Sequence, residues 1–202
     1  MRIVCVSDTH GRHELTRVPG GDILVHAGDV TLDGSLEDVE EFDRWLGALP
    51  HRHKIVICGN HDWCFQREPG AARARITNAV YLEDSGCEVA GLTFYGSPWT
   101  PLFFDWAFMR PDAELFETWE RIPAGTDVLV THGPPHGVLD LTNRDTRAGS
   151  LSLLHRVYEL KPRLHVFGHI HEAAGRAEVG GTRFVNAATH MGKGAGVAVE
   201  WV

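Results

Sequence analysis

Short apolar runs that stop abruptly at polar residues organise this chain. Arg2 to Ser7 (RIVCVS) ends in Asp8-Thr9-His10-Gly11, the pattern of a buried strand that delivers polar side chains at its C-terminal end. The pattern recurs along the sequence. Asp22 to Ala27 ends in Gly28-Asp29, Lys54 to Cys58 in Gly59-Asn60-His61-Asp62, Asp127 to Thr131 in His132-Gly133, and Leu164 to Phe167 in Gly168-His169-Ile170-His171. Each run stops at residue types that bind metals.

Between the second and third runs, Ser35-Leu36-Glu37-Asp38 has the form of a capping box. Leu36, Val39, Phe42, Leu46 and Leu49 follow at helical spacing until Pro50, so an amphipathic crossover helix is predicted. A second helix is predicted over Ser150 to Leu160, with Leu154, Val157 and Tyr158 on one face and Pro162 beyond it. Strands alternating with helices imply an α/β fold with a βαβ-rich sheet. The tail differs, because Glu178 to Val185 carries a Gly-Gly turn signal and Val197 to Val202 has the character of a final strand, so the C-terminal part is antiparallel or mixed. No repeat, linker or low-complexity segment interrupts 1–202, and one domain is expected.

Composition narrows the picture. At 43% hydrophobic and 23% charged residues, 202 residues can bury a core, and disorder is excluded. Cys5, Cys58, Cys64 and Cys87 lack a C-x-x-C spacing and are expected to be thiols. No apolar stretch approaches the roughly 18 residues of a membrane span, and Ile3 to Val6 is too short for a signal-peptide core, so a cytoplasmic protein without a membrane partner is expected. A net charge of −8 argues against a general nucleic-acid coat or anionic-membrane binder. Thirteen histidines against three lysines direct attention to metal or acid–base chemistry.

Open α/β sheets place their functional crevice at the carboxyl ends of the strands. Asp8, His10, Asp29, Asn60, His132, His169 and His171 therefore converge in one cleft. Carboxylates with imidazoles suit manganese, iron, zinc, cobalt or nickel, and seven such groups exceed the needs of a single ion, so two metals are the economical count. The glycines of Gly28-Asp29, Gly59-Asn60 and Gly168-His169 permit tight turns beside an ion.

The motifs Asp8-Thr9-His10, Gly28-Asp29, Gly59-Asn60-His61-Asp62, His132 and Gly168-His169-Ile170-His171 resemble, in this order, the calcineurin-like metallophosphoesterases. Each motif is weak alone, and five in order are specific. Closer wording (LVHAGDVT, KIVICGNHD, YGSPWTP, THGPP, KPRLHVFGHIHE) resembles the metallophosphoesterase-domain-containing branch of the 239FB brain-protein type and its bacterial relatives. Leu32 stands where the purple acid phosphatases carry a tyrosine ligand, which disfavours that branch.

The resemblance implies a four-layer α-β-β-α sandwich of mixed sheets with the active site at the C-terminal ends of strands. It implies that Asp8, His10 and His171 hold one ion, that Asn60, His132 and His169 hold the other, and that Asp29 bridges both. His61 would serve the leaving-group oxygen rather than a metal, with Asp62 orienting it. The implied function is a dinuclear phosphodiesterase acting through a metal-activated hydroxide, with manganese the first choice of ion. Cyclic nucleotides, nucleic-acid ends and other small diesters are the expected substrates. A phosphomonoesterase and a non-enzymatic scaffold of the same fold are the alternatives.

Other positions carry two readings. Arg12 and His13, beside the first ligands, are candidates for substrate phosphate contact against a solvated loop face, and His136 is comparable. His26 and His165 lie within apolar strands and are expected as core histidines, whereas His51, His53 and His155 are expected at the surface. His190 follows a strand end but is left outside the expected site. Trp99 to Arg121 holds seven aromatic residues among three nearby prolines, Pro98, Pro101 and Pro111. It is either a cap that stacks on a nucleobase or an irregular segment packed on the sandwich, and packing is favoured, with Trp99 or Phe104 as the candidates for facing substrate.

Overall fold

Alternate residues of each central strand face opposite apolar layers, which is why these runs are almost continuously hydrophobic. The computed structural model describes residues 1–201. In strand β1 (Arg2–Val6), Ile3 and Cys5 point into the layer between two sheets, while Val4 and Val6 point outward beneath helices. β2 (Ile23–Ala27), β3 (His53–Ile57) and β4 (Val80–Tyr81) continue the first sheet in parallel, and β13 (Val197–Glu200) runs antiparallel to β1, giving the order β13-β1-β2-β3-β4.

The second sheet contains β5 (Ser85–Val89), β6 (Leu92–Ser97), β9 (Val128–Thr131), β10 (Leu164–Phe167), β11 (Gly175–Val179) and β12 (Thr182–Asn186) in the order β11-β12-β10-β9-β6-β5. Its inner pairs are parallel, and both edges, β11 and β5, are antiparallel. Both sheets are thus mixed. The β11–β12 hairpin turns at Gly180 and Gly181, where the sequence signalled it. Val202, part of the expected last strand, lies outside the described residues.

Three apolar clusters define four layers. The central one joins Ile3, Val25 and Ile55 of the first sheet to Phe94, Val130 and Val166 of the second. The outer face of the first sheet packs on α1 (Leu36–Ala48), α2 (Trp63–Arg67) and α3 (Pro69–Arg75), through Phe42, Leu46, Phe65 and Ala72. The outer face of the second packs on α4 (Asp112–Glu120) and α5 (Leu151–Leu160), through Leu115, Trp119, Leu153 and Val157. The α-β-β-α order is the one that the sequence resemblance implied. Ser35 caps α1 by accepting the Asp38 N–H at 3.0 Å, and Ser150 caps α5 by accepting the Leu153 N–H at 2.9 Å, each satisfying a donor that the first helical turn leaves open.

Some elements differ from expectation. The buried stripe of α5 is Leu153 and Val157, and Tyr158 is exposed, because the helix is rotated so that the i, i+4 pair meets Trp119 of α4. The sequence pattern predicts no element between Tyr81 and Arg121, yet β5, β6, α4 and the small parallel pair β7 (Thr100–Pro101) and β8 (Met109–Arg110) form there. Pro111 sits just before α4, where its missing N–H costs nothing. His51, expected at the surface, is buried with Nε2 donating to the Pro19 carbonyl at 3.0 Å. All four cysteines are unpaired, and among the described residues no helix is long and apolar enough to cross a membrane.

Candidate metal centre

The two sheets draw together where β1, β2, β9 and β10 end. The Asp8 N–H donates to the Gly28 carbonyl and the Gly168 N–H to the His132 carbonyl, joining neighbours within each sheet. Between the sheets, His132 Nδ1 donates to the Ala27 carbonyl at 2.9 Å, and the His169 N–H donates to the Asp8 carboxylate at 3.0 Å. The strand-end loops therefore share one hydrogen-bonded framework. Gly59 and Gly168 make the approach possible: a Cβ on Gly59 would overlap Asp29 Oδ1, and one on Gly168 would overlap the Asp8 carboxylate and the Ser7 hydroxyl.

All seven expected ligands come into this region. His171 Nε2 lies 3.0 Å from Asp8 Oδ1 and 3.4 Å from His10 Nε2. His132 Nε2 lies 2.9 Å from Asn60 Oδ1 and 3.3 Å from Asp29 Oδ1, and Asp29 Oδ2 lies 3.6 Å from His10 Nε2. Three sets of donor atoms lie mutually within 4.8 Å: Asp8, His10 and His171; Asp29, His132 and His169; and His10, Asp29 and His61. Asp29 belongs to two of them.

The charge balance in this cluster fits a bound cation. Asp8 and Asp29 are buried, and their only ion-pair partners among the described residues are histidines. Two carboxylates removed from water without a fixed positive charge are costly, so either protonated imidazoles or metal ions must supply it. His132 shows the demand directly. Its Nδ1 carries a proton for Ala27, so Nε2 facing two oxygens must either be protonated or bind a cation. Burial alone would depress this ring, but the Asp29 charge and hydrogen bond, with Asp8, push it up to about 9. Burial lowers His169 to about 4 and also lowers His10, leaving neutral rings suited to ligation. Asp29 is held far below the ordinary carboxylate range by His132, against its own burial.

Backbone conformation points the same way. Asp8, His10, Asp29 and His169 have φ of 58°, 46°, 53° and 66°. Left-handed backbone costs a non-glycine residue about 1–3 kcal/mol and persists where the surroundings over-determine it.

His61 reaches the cleft from the loop after β3. Its N–H donates to Asp29 Oδ1 at 2.9 Å, and Nδ1 donates to the Leu32 carbonyl at 2.8 Å, leaving Nε2 as the free ring nitrogen. Asp62 does not touch this ring. Its buried carboxylate accepts the N–H groups of Gly59, Val30 and Thr31 and the Thr31 hydroxyl, at 2.7 to 3.2 Å, and so ties the loop after β2 to the loop after β3. The hydrogen-bond partner of the His61 ring is therefore the Leu32 carbonyl and not Asp62, the residue expected to orient it. Burial, followed by the Asp29 charge, pushes the Asp62 carboxyl up to about 6, against the hydrogen bonds from Thr31 and Gly59.

The cavity at the cluster has a volume of about 430 Å³ and is lined by His10, Asp29, Asn60, His61, His169 and His171, together with Asn143, Glu172 and His190. The last three were not in the expected site. His190 obeys the same strand-end rule as the expected ligands, following β12, and its ring lies 5.6 Å from that of His171. Glu172 accepts the Asn143 N–H at 3.1 Å, which brings a distant loop to the rim with no local sequence signal. Arg12 and His13 line a separate cavity beside α1. His13 is buried with its ring against Phe42 and Trp45, because its short 3-10 turn packs on α1. His136 does not line the metal cavity. His26 and His165 are buried, each with Nε2 on a threonine hydroxyl, Thr9 at 3.1 Å and Thr131 at 2.8 Å.

The aromatic segment divides. Phe108 and Trp119 are buried, Trp99 donates to Asp84 at 2.9 Å beneath Arg110, and Phe103, Phe104 and Phe116 are exposed. The ring that reaches the site is Trp106, not Trp99 or Phe104, and it lies on His61 with ring centres 4.4 Å apart.

Residues 1–173 match the family model of calcineurin-like phosphoesterases. Metallophosphoesterase domain-containing protein 1 of Homo sapiens is 43% identical over 212 residues, covering 92% of this chain and 65% of that protein, so the chain spans somewhat less than two thirds of that relative's length. The UPF0046 protein K07C11.7 of Caenorhabditis elegans is 38% identical over 203 residues, covering 93% of this chain and 69% of that protein. Among solved structures, TT1561 of Thermus thermophilus superposes with a TM-score of 0.62 at 16% identity, covering 92% of this chain and 88% of that one, which speaks to the fold.

Proposed function

The chain belongs to the calcineurin-like phosphoesterase family, a family of phosphoric-ester hydrolases that bind divalent metals, and on that premise we propose that it is a phosphodiesterase working with two divalent ions. The observation that carries the dinuclear reading is the position of Asp29, whose two oxygens face two rings, Oδ1 toward His132 at 3.3 Å and Oδ2 toward His10 at 3.6 Å. Asp8, His10 and His171 would hold one ion, Asn60, His132 and His169 the other, with Asp29 between them. Carboxylate, amide and imidazole donors suit first-row transition metals, and Mn²⁺ is the ion to test first. When bound, such ions offset phosphoryl charge and lower the pKa of water at the site.

The residues of the chain supply the rest. His61 Nε2 is free to serve the oxygen that leaves, which matters for diesters because an alkoxide leaves poorly without a proton. Asn143, Glu172 and His190 form the rim that a substrate passes. The preference for diesters is supported by charge. No arginine or lysine lines the cavity among the described residues, and Glu172 adds a negative group, so a monoester dianion gains less here than a diester monoanion.

The test compares bis-p-nitrophenyl phosphate with p-nitrophenyl phosphate at equal Mn²⁺. Faster turnover of the diester supports the proposal, and faster turnover of the monoester would replace it with a phosphomonoesterase.

A further inference from the structure

We propose that Trp106 is the positioning residue for His61, holding the imidazole by a tilted ring contact so that its free nitrogen faces the cleft. This inference rests on the reading of His61 as the residue that serves the leaving group.

The hydrogen bond from His61 Nδ1 to the Leu32 carbonyl is one constraint, and a ring held at one point can still swing about it. The half-exposed His61 has no hydrogen bond to a side chain through its ring among the described residues. Two rings flank it instead. His10 meets it nearly perpendicularly, at 4.5 Å and 88°, and Trp106 covers it at 4.4 Å with only 32° between planes. The Trp106 contact is a tilted face contact, which together with the edge contact from His10 limits the swing of the imidazole.

The loop carrying Trp106 is built to hold that contact. Its base is closed by the β7–β8 pair, with the Thr100 N–H on the Phe108 carbonyl at 3.0 Å and the Leu102 N–H on the Arg110 carbonyl at 2.8 Å. The Phe108 N–H donates to Gln66 Oε1 at 3.1 Å, tying the loop to α2. The Ala107 N–H donates to the Asn60 carbonyl at 3.1 Å. That bond joins the residue after Trp106 to the residue before His61, so the two loops carry their rings in register. Trp106 itself remains 36% exposed. The aromatic contact of this partly exposed ring is with His61.

Two variants and two readouts test the assignment. In the metal-free protein, side-chain ¹⁵N shifts of His61 report which ring nitrogen carries the proton. The wild type should show the Nδ1–H form, Trp106→Phe should keep it, and Trp106→Ala should average the two forms. An unchanged Nδ1–H signature in Trp106→Ala overturns the proposal. In the Mn²⁺-loaded protein, Trp106→Ala should lower kcat roughly tenfold, a part of the 10²–10⁴ that general acid–base groups contribute, with KM changed less than about twofold. Trp106→Phe should recover most of it. Placed in a His61→Ala background, Trp106→Ala should cause no further loss, because coupled residues are non-additive. An equal loss in both backgrounds contradicts positioning through His61. If the loaded wild type hydrolyses neither ester, the proposed function fails, and the ¹⁵N measurement still decides what Trp106 does.

Discussion

The Asp62 carboxylate grips Thr31 twice, accepting its backbone N–H at 2.9 Å and its hydroxyl at 2.8 Å. It also accepts the Gly59 N–H at 2.7 Å, so one buried side chain locks together the loops that present Asp29 and Asn60. Asp62→Ala should therefore act at a distance from the metals. Losing several hydrogen bonds to a charged group, each worth about 1.5–3 kcal/mol, should lower unfolding stability by a few kcal/mol, and Mn²⁺ affinity should fall about 10–100-fold, as for lost support of ligands. Denaturant melts and calorimetric titration check both. Unchanged affinity would restrict Asp62 to stability alone.

His61→Ala should separate chemistry from metal loading. Its Nδ1 is spent on Leu32 and its backbone N–H on Asp29, so removing the ring leaves the seven expected ligands in place. Diester turnover should drop about 10²–10⁴-fold while titration still shows two Mn²⁺ bound. Loss of an ion would reassign His61 as a ligand.

Glycine substitutions should sort by location. Gly168→Ala drives a methyl into Asp8 and Ser7, and Gly59→Ala drives one into Asp29. Each should cost about 1–3 kcal/mol through overpacking and weaken metal binding with it. Gly70, within α3, has open space around the position that a methyl would take and no left-handed backbone. Gly70→Ala should stabilise by about 0.5–1 kcal/mol. Thermal melts of the three proteins, with and without Mn²⁺, test the contrast.

Acid should destabilise the chain through two core rings. Burial pushes His26 and His165 down to about 3, whereas an unfolded histidine titrates near about 6.5. Above that pH both states are neutral and neither ring changes stability. As pH falls from about 6.5 toward 3, the unfolded chain takes up protons that the folded chain refuses, so stability is lost at about 1 kcal/mol per pH unit for each ring. His165→Gln should flatten the slope of unfolding free energy between about pH 6 and pH 4 relative to wild type. An unchanged slope would contradict the buried, neutral assignment.

The strand-end pattern was legible because it is local. A buried strand needs an apolar run, and the residue that follows it must leave the sheet, so Asp8, Asp29, Asn60, His132 and His169 announce themselves together with their strands. Left-handed backbone at four of the expected ligands was not visible, since aspartate and histidine carry no mark of their φ. Nor was the rim. Asn143 reaches the cavity through a bond to Glu172, and Trp106 is brought against His61 through one from Ala107 to Asn60, contacts set by tertiary packing across widely separated segments. The same limit explains Asp62, which the resemblance paired with His61, while its carboxylate faces the opposite loop. His13 and His51 were likewise drawn into the interior by packing on α1 and by the Pro19 carbonyl.

The central claim is that a pair of divalent ions sharing Asp29 drives diester hydrolysis. The most direct test strips the protein of metal, titrates Mn²⁺, and follows bis-p-nitrophenyl phosphate hydrolysis in wild type and in Asp29→Ala. The account predicts a rate that rises to a plateau at two Mn²⁺ per wild-type chain and is lost, with the metal binding, in Asp29→Ala. A plateau at one ion, or a rate that survives in Asp29→Ala, would contradict it.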